Sequence, residues 1–90
     1  MIGIAMSTYE NETIITETIR SLQAQHTSFL CVIADDGSTD STVETMRRLT
    51  AGDMRFEVLS LPHGERGIAR KTAIDRLKQH SVEYLYIIDS

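Results

Sequence analysis

Four short apolar runs separated by three helix-length segments constrain this chain more than anything else in its sequence. Ile2 to Met6 is the first run. Phe29 to Ala34, reading FLCVIA, is the second and is continuously apolar. Arg55 to Leu61 alternates loosely, with Phe56, Val58 and Leu59 apolar, and Glu83 to Ile88, reading EYLYII, is the fourth. Continuous apolar runs of strand length suit strands covered on both faces, as in a parallel sheet. In the first intervening segment Ile14, Ile15, Thr18, Ile19 and Leu22 form a stripe at helical spacing, with Asn11 placed to cap it. In the second, Ser41 and Glu44 have capping-box spacing, and Val43, Met46 and Leu49 supply an apolar face. The third follows the turn around Pro62 to Gly64, with Ala69, Ala73, Ile74 and Leu77 facing inward. The order β-α-β-α-β-α-β predicts an α/β, doubly wound, mostly parallel sheet, because parallel neighbours need a crossover of helix length.

Ninety residues bound this to one small domain over 1–90. Hydrophobic residues at 41% and charged residues at 24% exclude disorder, collagen-like repeats and a disulfide-stapled miniprotein. A single cysteine, Cys31, allows no intrachain disulfide, so a reducing, cytoplasmic setting is expected. The apolar runs are too short for a membrane span, and the first begins at the second residue, so no leader is expected. A net charge of −4 argues against a nucleic-acid partner. The charge is unevenly spread. Up to position 44 the one cation is Arg20, against seven carboxylates, whereas Arg66, Arg70, Lys71, Arg76 and Lys78 crowd residues 65–78. Two readings stand: internal charge balance, or a mixed site with carboxylates for a metal or base and cations for phosphates.

Doubly wound sheets bind ligands at the carboxyl ends of their strands, near a topological switch point. Ser7, Thr8 and Tyr9 follow the first strand, Asp35, Asp36 and Gly37 the second, and Asp89 and Ser90 the fourth. All three clusters fall on the same edge. Within DDGSTD, Gly37 permits a positive φ and Ser38 or Thr39 can cap the following helix. A turn alone does not account for two adjacent carboxylates, whose repulsion is costly. One of the pair is expected to accept a hydrogen bond from a ligand, the other to support the turn. Tyr9 offers a ring to a flat ligand or packs over the sheet edge. Asp89 is a ligand-site acid or the cap of a following turn.

Other patterns carry less. No GxGxxG follows a strand, and no GxxxxGK[ST] phosphate loop occurs. Gly64-Glu65-Arg66-Gly67 has the spacing of a nucleic-acid GxxG clamp in the wrong fold context. His26, His63 and His80 lie in different segments and are expected at the surface. Cys31 reads as an inert core residue, and Met46 and Met54 as core filler.

Taken together, Ser7-Thr8-Tyr9-Glu10, Ser21-Leu22-Gln23-Ala24-Gln25, Asp35 to Thr42, Ala69-Arg70-Lys71 and Asp89-Ser90 resemble the start of the inverting glycosyltransferase family 2. In that family the corresponding pieces read PTYN, SLLAQ, DDGSTD-x-T, ARN and D-x-D, in this order. The resemblance implies a Rossmann-like, partial GT-A fold, a nucleotide-sugar donor (UDP-linked), and a divalent Mn²⁺ or Mg²⁺. By position, it implies Tyr9 against the uracil ring with Ser7 beside it, Asp36 accepting the base N–H, and Arg70 near the donor. It implies Asp89 as the first acid of D-x-D, holding ribose and metal.

Two departures stand out: PTYN has become STYE, and ARN has become ARK with Lys71 in the amide position. The second D-x-D aspartate would fall at position 91, and the acceptor half and general base later still. The chain is therefore expected to be the nucleotide-binding half of a transferase acting on a saccharide or lipid acceptor, inactive alone and prone to self-association. Two alternatives compete: a non-enzymatic association module of the same fold, and a phosphoacceptor receiver-like domain. The receiver places its acidic pair after the first strand, which this chain does not.

Overall fold

The apolar runs divide by odd and even position, and this division builds the molecule. The computed structural model describes residues 1–64 and 67–89, with the backbone alone for Asp89. The elements are β1 (Ile2–Thr8), α1 (Glu12–Gln23), β2 (Phe29–Asp36), α2 (Thr42–Thr50), β3 (Phe56–Leu61), α3 (Ile68–Leu77) and β4 (Tyr84–Asp89). Side chains alternate across a strand. Ile4 and Met6 of β1 and Phe29, Cys31 and Ile33 of β2 therefore join Ile15, Ile19 and Met46 in one core, under α1 and α2. Ala5, Val32 and Ala34 join Ala69, Ala73 and Leu77 in a second core under α3. Truncating a fully buried Ile or Leu of this kind to Ala costs about 2–5 kcal/mol.

The two cores differ in the size of their residues. The α1/α2 layer is built from Ile, Met and Phe, whereas the α3 layer is dominated by alanines. On this second face a Cβ added at Gly3 would come within 3.1 Å of Val82 Cγ1, so that approach leaves little space.

All neighbouring strands are parallel, in the order β3-β2-β1-β4. The chain steps outward from β1 through β2 to β3, and α3 then returns it across the opposite face to the far side of β1. The reversal lies between β1 and β4, which is the switch point. The doubly wound α/β expectation holds.

Several local expectations do not. β1 and β2 run two residues beyond the predicted runs, so Thr8 and the Asp35-Asp36 pair are the last residues of strands. Neither Asn11 nor Ser41 makes a side-chain cap. Asp40 instead closes a turn onto the first helical residue: its Oδ1 accepts from the Thr42 amide at 3.0 Å and the Thr42 hydroxyl at 2.5 Å. Thr42 Oγ1 in turn accepts from the Asn11 amide, tying the starts of α1 and α2 together. Ile14 is exposed rather than part of the buried stripe, and Met54 is 93% exposed at the α2–β3 turn instead of filling the core. β4 is an edge strand. Tyr84, Leu85, Tyr86 and Ile87 stay exposed on both faces because the helices cover β1 to β3 and stop short of it. No described helix is long and apolar enough to cross a membrane.

Candidate functional site

At the end of β2 the two carboxylates separate into different roles. Asp35 is fully buried, and both of its oxygens are used: Oδ2 accepts from the Ser38 amide at 2.7 Å and Oδ1 from the Ser38 hydroxyl at 2.6 Å. These charge-assisted bonds close the turn. Ser38 Oγ also accepts from the Glu10 amide at 2.8 Å, so the same turn fixes the chain just past Tyr9. Asp36 is half-buried and faces the carboxyl edge. The expectation that one acid of the pair supports the turn is met by Asp35.

Glu10, which stands where the family has asparagine, has φ +46°, a left-handed conformation that asparagine tolerates better than glutamate. Its Oε1 accepts from Thr39 Oγ1 at 2.6 Å, which offsets part of that strain. Partial desolvation raises the Tyr9 phenol above its usual value. The nearby Glu10 carboxylate and the charges of Asp36 and Asp40 add to the effect.

The Pro62–Gly64 turn completes the arrangement. Gly37 has φ +72°, and a Cβ there would lie 2.3 Å from the backbone nitrogen of His63, so the turn passes directly over this glycine. The His63 ring stacks on Tyr9 with centroids 4.6 Å apart and planes inclined by 30°. His63 Nδ1 lies 2.9 Å from the Asp36 carbonyl oxygen and 3.3 Å from Asp36 Oδ2. Both are acceptors, so Nδ1 carries a proton. The Gly64 amide donates to Asp36 Oδ1 at 3.0 Å. Tyr9, Asp36 and His63 thus form one contiguous cluster over the carboxyl ends of β1, β2 and β3. Sequence reasoning placed His63 at the surface, which is correct for exposure, but missed its role in this cluster. The signal was available: His63 follows β3 at the same edge that singled out the other residues.

Ser7 pairs with Ala34 on one side and Asp89 on the other, placing it on the switch-point crevice. Arg70 is exposed in the first turn of α3, whose start lies at this edge. The backbone of Asp89 ends β4 there, while its side chain, like Arg66 and Ser90, lies outside the described residues. No group of three His, Cys, Asp or Glu among the described residues could hold a metal ion. Of the two charge readings, internal balance accounts for part of α3: Arg76 forms a two-pronged pair with Glu57 (2.5 and 3.0 Å), and Lys71 pairs with Asp75 at 2.7 Å. The acidic half is balanced differently, by hydroxyls and amides. Glu12 accepts from Thr45, as Glu10, Asp35 and Asp40 do from Thr39, Ser38 and Thr42. Cys31 is buried, and desolvation pushes its thiol up to about 12, as expected for an inert core residue.

Among curated proteins none matches the chain in sequence. Among solved structures, the crystal structure of S. aureus TarS is similar, with a TM-score of 0.80 and 30% sequence identity. That match covers 98% of this chain and 16% of the TarS chain, so this chain spans a small part of that protein's length. The Rossmann-like sheet corresponds to part of a GT-A fold. The profile described as glycosyl transferase family 2 matches residues 3–90. A match running from β1 to the end of β4, through every cluster at the carboxyl edge, identifies the chain as a member of glycosyl transferase family 2.

Proposed function

We propose that residues 1–90 are the nucleotide-binding half of a cytoplasmic glycosyltransferase domain. Its donor is a nucleoside-diphosphate sugar carrying UDP, and its acceptor is a hydroxyl of a saccharide or lipid. The observation that carries this reading is the convergence of an aromatic ring (Tyr9) and a half-buried carboxylate (Asp36) on His63 at the carboxyl ends of the neighbouring strands β1 and β2. A flat base with an in-plane N–H needs these two groups. In this reading Tyr9 takes the uracil face, Asp36 accepts the base N–H, Ser7 lines the crevice, Arg70 approaches the diphosphate, and Asp89 takes the ribose. The acceptor oxygen attacks the anomeric carbon as the bond to the diphosphate oxygen breaks, and UDP leaves with the electron pair, inverting the centre. The base that removes the acceptor proton is assigned outside these residues. The described residues do not assemble a divalent-cation site. Mn²⁺ or Mg²⁺ therefore remains an expectation for the whole enzyme, with Asp89 as the ligand in this stretch.

Amide shifts on titrating UDP with Mg²⁺ test the reading. Saturable shifts are expected at Tyr9, Asp36 and Gly64, and Asp36→Ala should weaken binding about tenfold or more, since a hydrogen bond to a charged group is lost. Binding that survives Asp36→Ala undiminished overturns the site. The 90-residue chain should not turn over a UDP-sugar, and turnover would overturn the division of labour. The exposed β4 favours a second reading, an association module of the same fold, for which UDP would produce no shifts at all. The receiver-domain alternative falls with the family assignment.

A further inference from the structure

We infer that the His63 imidazole occupies the nucleobase position when no nucleotide is present, and so sets the apparent affinity of the chain for a nucleoside. The inference rests on the nucleotide reading above and adds a residue to it. A uracil bound there would present a flat ring to Tyr9 and an N–H to Asp36. His63 already presents both. Its ring lies 4.6 Å from that of Tyr9, and its Nδ1 donates to the Asp36 carbonyl at 2.9 Å while lying 3.3 Å from Asp36 Oδ2. No third ring fits between them, because two successive stacks need about 7 Å between the outer rings. A base that stacks on this face of Tyr9 therefore replaces the imidazole.

The rest of the turn does not have to follow. The His63 side chain is 59% exposed, with solvent to rotate into. The Gly64 amide holds Asp36 Oδ1, the other oxygen, at 3.0 Å. When the ring swings away, Oδ1 stays pinned and Oδ2 is released, facing the space that the imidazole has left. One side-chain rotation thus gives up the Tyr9 stack, the bond to the Asp36 carbonyl and the contact with Oδ2 together. The apparent dissociation constant is the intrinsic one divided by the fraction of molecules with the ring displaced.

Uridine is the probe, since it has the base without phosphates and needs no metal. Its affinity is measured by amide shifts for the unaltered 90-residue chain, His63→Ala and His63→Phe. In the ligand-free state, His63→Ala should shift the Tyr9 ring protons, reporting loss of the stack. It should also bind uridine about three- to tenfold more tightly, because an aromatic stack and a hydrogen bond no longer compete. His63→Phe keeps a ring on Tyr9 and should stay within about twofold of the unaltered chain. Equal or weaker uridine binding by His63→Ala, or tightening by His63→Phe as large as by His63→Ala, overturns the inference and leaves the nucleotide reading intact. Absence of uridine and UDP binding in all three proteins overturns the nucleotide reading, and the inference with it.

Discussion

A Cβ at position 37 would lie 2.3 Å from the His63 backbone nitrogen, and the φ of Gly37 is +72°. Both facts forbid a side chain there, one through contact with backbone that cannot turn aside and one through conformation. Gly37→Ala is expected to lower stability by about 2 kcal/mol or more in urea unfolding, and to displace His63 from Tyr9. A stable variant with the ring stack intact would contradict the geometry. Asp35 and Asp36 show what a sequence can convey at this scale. Adjacent acids after an apolar strand announce that one of them has a task beyond the turn. Which one closes the turn is decided by the strand's pleat and by Ser38, which satisfies Asp35 with both its amide and its hydroxyl. For His63 the sequence conveys the edge but not the contact. It gains meaning only when the Pro62–Gly64 turn folds back over Gly37, a contact between segments that no local spacing encodes.

At the scale of elements, β3 and α3 are tied by the Arg76–Glu57 pair, and the Asp53–Arg55 pair anchors the start of β3. Hydrogen bonds from Arg76 hold Glu57 below the usual carboxylate range. Bonds from Arg55 do the same for Asp53, bonds from Thr42 for Asp40, and the bond from Lys71 for Asp75. A carboxylate with a depressed folded pKa contributes stability above its unfolded pKa and loses it as pH falls through the folded value. The urea midpoint should therefore be level from about pH 7 to 5 and fall below about pH 4. Arg76→Gln should flatten part of that fall. A midpoint that rises on acidification would contradict the assignment. The pattern of elements was legible throughout, because period-2 and helical stripes are local. The caps were not: Asp40 holds the Thr42 amide in a turn of its own, and Ser41 makes no side-chain cap at that helix start. The burial of β4 was misread because an apolar run reports what a strand can bury, and its place in the sheet decides whether anything covers it.

At the scale of the whole molecule, that uncovered edge is the main liability. Leu85 and Ile87 face the α3 side and Tyr84 and Tyr86 the α1/α2 side, with Tyr84 65% exposed. An apolar edge strand with free backbone groups invites pairing with another chain. The 90-residue chain is expected to associate with rising concentration in light scattering, and the double variant Leu85→Lys, Ile87→Glu should restore a monomer. A clean monomer without those changes would contradict this. The alanine layer has a different consequence. α3 rests on Ala5 and Ala34 through Ala69 and Ala73, so its distance from the sheet is set by methyl groups. A larger residue at Ala73, on the sheet's reverse side and away from the Tyr9–Asp36–His63 cluster, is therefore expected to act as a shim that lifts α3 off the sheet.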